Sequence, residues 1–395
     1  MIKLNHKKDC CGCFACSTKC PQACIEMQED VEGFLYPQIN EQNCIHCSLC
    51  EKVCPVINQR EEREPLLSYA LKNKDEFIRS NSSSGGFFHL SAQQTIKNKG
   101  VVFGVKFNEE WETLHDYTDS NDEINKFLKS KYIQSRVNNN YALAESFLKE
   151  GKLVFFVGTP CQVSGLLLYL QKEYKNLITM DFICHGVPSS KIWKKYLEEI
   201  LPEDSNILNI NFRNKSKSWK RYCFSMQYTS LNKKGEKEVK ERIDKPGKNL
   251  FMRGYLKDLY LRPSCYYCPT KSLKSKSDIT IGDFWGIENI VPKFDDDKGC
   301  SAIMLNTEKG VEFFSGIPQD NYAYKPISYK DIVRSNKSLI MSAELSAKRD
   351  IFFKEYEQGT MIKTVKSLTS DPLHKKLEYE LYKLLKRTYQ FIFSK

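Results

Sequence analysis

The sequence predicts two unlike domains in one chain: a short cysteine-rich α+β module and, behind it, a larger α/β domain built on a mixed sheet. Three observations carry that reading. Ten of the sixteen cysteines fall within the first 54 of 395 residues. A polar stretch closed by proline, NQREEREP at 58–65, follows them. Beyond it, short apolar runs alternate with amphipathic ones, the pattern of strands interleaved with helices. The chain is long enough for two or three domains, and 41% hydrophobic with 12% aromatic residues is the composition of an ordered globular protein. Its start, MIKLNHKKDCC, lacks the apolar core of a secretory signal, and the longest apolar runs, LVFFV (153–157) and GLLLYL (165–170), are too short to span a bilayer. The expected location is cytoplasmic, where clustered cysteines serve metal sites or redox chemistry more often than disulfides.

Within the first module, Cys10, Cys13, Cys16 and Cys20 are spaced C-x2-C-x2-C-x3-C with Pro21 next, and Cys44, Cys47, Cys50 and Cys54 repeat the run with Pro55 next. A loop with a thiolate at every third residue wraps three corners of a cubane, and the fourth cysteine of each run reaches the other cluster of a two-cluster ferredoxin. The expected ligand sets are therefore Cys10, Cys13, Cys16 and Cys54 for one [4Fe-4S] cluster, and Cys44, Cys47, Cys50 and Cys20 for the second. Structural zinc uses two CxxC pairs a loop apart and needs neither the third cysteine nor the paired Cys-Pro. The stretch GFLYPQIN (33–40) predicts the hairpin between the two halves. Cys11 and Cys24 fall outside the spacing and read as bystanders. The ferredoxin-like module is placed at 1–58 and a linker at 59–66.

The elements of the larger domain, 67–345, follow in order. From Ser83, SSGGFFHLSAQQTIKNKGVVFGVKF predicts a Ser/Gly turn, a helix over Phe87–Lys97 and a strand over Val101–Phe107. Residues 141–150 read as helix and LVFFVG (153–158) as a buried strand, followed by a helix over Val163–Glu173, a strand over 178–184 and a helix over Lys191–Leu201. A β-rich portion covers 207–230. In an open, largely parallel sheet, ligands sit beyond the carboxyl ends of the strands. The loops GTPCQ (158–162) and ICHGVPSS (183–190) follow two successive strands there, so Cys161 and Cys184 fall on one rim. SCYYCP (264–269) adds Cys265 and Cys268. Four thiols suit a third [4Fe-4S] cluster, they suit zinc equally, and Cys161 and Cys184 suit plain burial in the core; the residues alone leave the three open. Cys223 and Cys300 read as core residues.

Seven stretches in this order resemble the coenzyme F420 hydrogenase/dehydrogenase beta-subunit family: SSSGGFF (82–88), KSKYIQS (129–135), GTPCQVSGL (158–166), DFICHGVPS (181–189), RPSCYYCP (262–269), SDITIGDFWG (277–286) and KGCSAIMLNT (298–307). The resemblance runs over roughly residues 66–340. It implies a flavin-binding α/β domain holding FAD, with a [4Fe-4S] cluster beside it on Cys161, Cys184, Cys265 and Cys268. For FAD, the turn Ser84, Gly85 and Gly86 opens a helix and suits a pyrophosphate, or serves only as the cap of that helix. Lys131, Tyr132, Thr159 and Asp283 are further candidates for FAD contact. His185, next to Cys184, is the one candidate for proton delivery, although a lone histidine is more often a packing residue. The implied activity is that of an iron–sulfur flavoprotein oxidoreductase. Electrons pass between ferredoxin-type clusters and FAD, for hydride exchange with a small-molecule substrate or a deazaflavin-type coenzyme, with an electron-donor protein such as ferredoxin as partner. The alternative is an electron-transfer subunit that relays electrons between proteins without a substrate of its own.

Charge adds less. The net charge is +11, yet residues 1–60 hold 6 Lys/Arg against 7 Asp/Glu, and residues 213–253 carry 13 against 4. No nucleic-acid recognition motif accompanies that basic segment; an acidic partner, the FAD phosphates or a solvated loop accounts for it. The end of the chain, 346–395, is expected to be helical. Leu373, Leu377, Leu381, Leu384 and Leu385 fall at helical spacing, which suits packing on its own domain and at most peripheral membrane contact.

Overall fold

The computed structural model describes residues 1–232 and 234–370. The first 58 residues fold around their sulfur. Two short helices, α1 (Ala15–Lys19) and α2 (Leu49–Lys52), each follow the first cysteines of a run, and the strands β1 (Ile25–Glu29) and β2 (Leu35–Ile39) pair antiparallel with Ile25 opposite Ile39. The expected hairpin is this pair. The stretch 59–66 has no regular structure, yet it is no free tether. The Arg63 N–H donates to the Ser272 carbonyl at 3.3 Å, its guanidinium donates to the Ser277 carbonyl, and the Leu66 N–H donates to the Leu305 carbonyl at 2.8 Å.

The body opens with β3 (Leu67–Asn73), α3 (Glu76–Asn81) and α4 (Phe87–Lys97), then β4 (Val101–Phe107) and β5 (Thr113–Thr118). Next come α5 (Asn140–Lys149), β6 (Val154–Val157), α6 (Pro160–Leu170), β7 (Leu177–Phe182) and α7 (Ser190–Ile200). A separate antiparallel sheet of β8 (Asn206–Asn214), β9 (Cys223–Leu231) and β10 (Lys237–Asp244) leads through α8 (Leu250–Leu256) back to β11 (Ile279–Asp283) and β12 (Ser301–Leu305). The described chain ends with α9 (Glu308–Ser315), β13 (Tyr322–Pro326), α10 (Tyr329–Ser335), α11 (Arg349–Tyr356) and α12 (Met361–Thr369). The main sheet has eight strands in the order β13-β3-β12-β11-β7-β6-β4-β5. Its centre, β11-β7-β6-β4, is parallel and its flanks are antiparallel, so the sheet is mixed as expected.

The apolar run LVFFV is uninterrupted because β6 is buried on both faces. Phe156 points with Phe103 and Tyr141 into the layer under α5 and α6, while Phe155 points with Val102 and Ile178 into the layer under α4 and α9. Helix α6 starts three residues before the expected Val163, because Thr159 and Gln162 form a reciprocal cap with Pro160 in the first turn, and it ends at Leu170, before a left-handed Gln171. Strand β7 stops at Phe182, which leaves Cys184 free of the ladder. The basic segment is not a solvated loop. It holds β9 and β10, and much of its charge is spent locally, as in Lys220 with Asp295 and Arg242 with Asp244. The leucine stripe from 373 lies outside the described residues. No helix among the described residues is long and apolar enough to cross a membrane.

Candidate functional site

Eight cysteines of the head enclose two spaces. Cys10, Cys13, Cys16 and Cys54 line one cavity of about 320 Å³, together with Ile2, Met27 and Pro37. Cys20, Cys44, Cys47 and Cys50 line a second of about 350 Å³. Each set takes three thiols from one run and one from the other. All sixteen cysteines are free thiols, and Cys47 is the exposed one among them. Backbone amides point at sulfur in both cavities, Ile2 N–H at Cys50 Sγ (3.3 Å) and Gly12 N–H at Cys10 Sγ (3.4 Å). Among the described residues no three His, Cys, Asp or Glu side chains converge on one point as a single metal ion requires. The thiols stand instead around a space, the donor set and spread that a cubane with its own sulfides fits. Cys24 sits 3.3 Å from Cys20 Sγ.

A third cavity, about 740 Å³ with its open mouth, lies in the body. Cys161 from the first turn of α6, Cys184 from the loop after β7, and Cys265 and Cys268 from the loop after α8 all line it. Burial pushes the Cys184 thiol up to about 12 and raises Cys265 as well; a hydrogen bond from Cys11, then burial, raises Cys161. The Thr159 hydroxyl is 3.2 Å from Cys161 Sγ and 3.0 Å from Gln162 Oε1, so this residue belongs to the thiol cavity. His185 also lines it, with Nε2 2.5 Å from Asp258 Oδ1. Lys271 donates to the Cys184 and Ser338 carbonyls, both at 2.6 Å, placing a cation on the rim. Asp181 accepts from Ser275 and Thr280, both at 2.5 Å, and burial pushes its carboxyl up to about 6.

The remaining flavin candidates gather beyond Tyr255. The Tyr255 ring is 5.3 Å from His185 on one side and 5.0 Å from Tyr132 on the other. Past Tyr132, Arg213 lies 3.8 Å over the Tyr222 ring and 4.9 Å over Trp285, which stacks on Trp219 at 4.8 Å. Asp283 ends β11 and accepts from Arg213 (3.0 Å) and from the Trp219 indole (2.8 Å), so its carboxylate is held by protein groups. Trp285 is half-buried, and Phe284 is the residue of that turn that fills the core. The turn at 84–86 differs from expectation. The Gly85 N–H is already donated to Ser301 Oγ (2.9 Å), the Ser84 hydroxyl to the Cys300 carbonyl (2.7 Å), and Gly86 caps α4. A row of free amides is therefore not what this turn offers; its contribution is the Ser84 carbonyl, which accepts from Lys215 Nζ at 2.7 Å.

Lys215 also donates to the Arg79 and Lys298 carbonyls, and Lys131 to those of Leu128 and Lys129. Neither ammonium is ion-paired among the described residues. Burial pushes both down to about 7. Arg213 Nε is buried without a partner among the described residues. Two depressed lysines and an orphaned guanidinium nitrogen between aromatic rings fit a flat, anionic cofactor. Sequence reading missed Lys215, Arg213, Lys271 and Arg262, each a single basic residue without a spacing signal. It also missed Cys11, which lines both the Cys10 cavity and the body cavity.

The head docks on the body through side chains from both. Arg349 grips Glu32 with two bonds (2.9 and 2.5 Å), Ser189 donates to the Glu32 carbonyl (2.7 Å), and Gln134 donates to the Cys11 carbonyl (3.0 Å). A Cβ at Gly165 on α6 would lie 3.1 Å from Cys13 Sγ and 2.9 Å from the Tyr141 hydroxyl, so the helix is bare where the head's cysteine loop rests on it.

Comparison with known proteins agrees with both halves. Residues 9–58 match the family model described as 4Fe-4S dicluster domain. Residues 151–328 match the model for the carboxyl-terminal part of the coenzyme F420 hydrogenase/dehydrogenase beta subunit. The chain is 24% identical over 326 residues, 77% of its length and 81% of the relative's, to the F-type subunit of the F(420)H(2) dehydrogenase of Methanosarcina mazei. It is 38% identical over 61 residues, 14% of its length and 47% of the relative's, to NADH-quinone oxidoreductase subunit I 2 of Geobacter metallireducens. Among solved structures, a chain of the F420-reducing [NiFe] hydrogenase complex from Methanosarcina barkeri aligns with a TM-score of 0.45 and 14% identity, over 77% of this chain and 91% of that one.

Proposed function

This chain joins a 4Fe-4S dicluster domain to a region of the coenzyme F420 hydrogenase/dehydrogenase beta-subunit family, and from that premise we propose that it is an iron–sulfur flavoprotein oxidoreductase of the reducing cytoplasm. In this reading Cys10, Cys13, Cys16 and Cys54 hold an inner head cluster, Cys20, Cys44, Cys47 and Cys50 an outer one, and Cys161, Cys184, Cys265 and Cys268 a third. FAD lies against Lys131, Tyr132, Arg213 and Lys215. When bound, flavin exchanges two electrons as a hydride on one side and single electrons on the other, and each cluster carries one electron.

The observation that carries the reading is the order of the cavities: outer head, inner head, body thiols, then the basic aromatic region across Tyr255. The residues have separable tasks. Lys131 and Lys215 neutralise phosphate; Tyr132 and Tyr222 offer faces to a flat ring. Lys271 offsets the negative charge of thiolates at the rim. The body cavity is more than twice the volume of either head cavity, which leaves room beside a cluster for a flavin edge or a substrate. His185, held by Asp258, is placed to exchange a proton there. The substrate is a small molecule or a hydride-carrying coenzyme of the deazaflavin kind, and the electron donor a protein such as ferredoxin.

Iron, sulfide and flavin content of anaerobically purified protein tests the reading. About twelve iron, about twelve sulfide and one FAD per chain is the expected result. About eight iron with FAD removes the third cluster, and zinc without iron or flavin overturns the whole. The relative named as part of a dehydrogenase favours a second reading, a relay between proteins without a substrate of its own. Turnover of a hydride acceptor by the lone chain with reduced ferredoxin separates the two.

A further inference from the structure

One buried charge stands between the head and the body, and the iron–sulfur reading, on which this inference rests, leaves it unused. Arg262 is 1% exposed. Its Nε donates to the Cys10 carbonyl (2.8 Å), Nη1 to Gln134 Oε1 (3.0 Å), and Nη2 to the Leu35 carbonyl (2.9 Å) and, at 3.5 Å, to Cys10 Sγ. The rings of Tyr36 and Phe34 lie 4.5 and 5.4 Å from its guanidinium. The backbone makes space for it: Gly12 holds φ +66°, and a Cβ there would come within 2.8 Å of Nη1. Gln134 bridges the junction, accepting from Arg262 and donating to the Cys11 carbonyl.

Among the described residues no carboxylate pairs with this guanidinium. A buried charge without a counter-charge is costly, and the groups around it that become anionic are thiols. Burial works against the charge, while Cys10, then Tyr36, Cys11 and Cys265 hold it. The head and body thiol sets thus share one cation. Cys11 continues the contact, since it follows ligand candidate Cys10 in the chain and its thiol hydrogen-bonds Cys161. In the outer set, the sulfur contact at Cys50 comes from a neutral amide, Ile2 N–H.

We propose that Arg262 is a redox-positioning residue. Its guanidinium on Cys10 Sγ raises the reduction potential of the inner head cluster and makes that site the junction where single electrons cross to the body thiols past Cys11 and Cys161. Reduction adds one negative charge, which a buried cation and a hydrogen bond to the ligating sulfur both favour. Each crossing moves one electron between the head site and the body site; no bond forms or breaks and no proton moves.

Full-length protein purified without oxygen, analysed for iron and then titrated with dithionite under electron paramagnetic resonance, tests this. The signal of the inner cluster is identified as the head signal that Cys47→Ser leaves in place. Arg262→Gln is expected to shift it to lower potential by at least tenfold in its reduction equilibrium, about 59 mV for one electron, with the outer signal unmoved. Arg262→Lys, which keeps the charge and loses the fork onto sulfur, gives a smaller shift in the same direction. Unmoved midpoints with iron retained, or equal shifts of both head signals, overturn the proposal and leave the iron–sulfur reading standing. Should Arg262→Gln lose iron, Arg262→Lys decides: a lowered midpoint supports the proposal and an unmoved one overturns it. A wild-type protein without iron overturns both.

Discussion

In the head, eight thiols come from two runs of eleven residues each; in the body, four come from loops that lie as far apart as Cys161 and Cys268. The head can gather its sulfur with two short helices and a hairpin. The body needs parallel neighbours β6 and β7 to bring the first two thiols to one rim, and the chain from α8 to return beside them for the other two. The contrast teaches where each site stores its order, locally in the loop for the head and in the sheet for the body. A change to the body's thiols should therefore be separable from the head, whereas a change at their junction should touch both.

The largest expected effect follows from that separation. Cys184→Ser should remove about four of about twelve iron and leave both head signals intact, whereas Cys13→Ser should remove a head cluster. Loss of all clusters in Cys184→Ser breaks the comparison. Arg349→Ala comes next, since Arg349 and Glu32 are both nearly buried and the change strands a carboxylate between head and body. A loss of about 3 kcal/mol in unfolding free energy is expected, measured by denaturant titration. Gly165→Val should cost about 1–3 kcal/mol, because its side chain would press on Cys13 and Tyr141. A normal melting temperature there would show that the head does not rest on α6.

The smallest effect concerns pH. Lys131 and Lys215 release their protons near 7 in the folded protein and at the ordinary lysine value, well above that, when unfolded. Between those values the unfolded chain binds more protons, so the stability of flavin-free protein should rise with pH from about 7 upward. A Lys131→Met change should flatten the rise, and saturating FAD should flatten it in the wild type. A denaturation midpoint that is level or falls across pH 7 to about 9.5 contradicts the depressed lysines.

These differences also explain what could be read in advance. Phe87–Lys97 and Val101–Phe107 stand where periodicity puts them, and the head thiols pair as spacing predicts, because each signal is carried by neighbours in the chain. Helix α6 begins three residues ahead of its apolar periodicity although its start is written locally: Thr159 and Gln162, three apart with Pro160 between them, are a capping signal that the periodicity masks. Arg262 is invisible in the sequence for a different reason. Its partner Cys10 is 252 positions away, and a single arginine has no period. The turn at Gly85 resembles a phosphate cradle because composition shows which residues are small, not that Ser301, 216 residues later, has already taken the amide.

The exposure of Cys47 gives the molecule a direction in time as well as in space. Oxidants meet thiolates in order of access, and the other cysteines lie half-covered or buried. Air should age this protein from the outside inward: the outer head site would be lost first, while the sites behind it remain assembled but cut off from any donor docking at that end. A sample with most of its iron and none of its throughput would be the signature of such ageing, and the outer site would serve as the fuse of the chain.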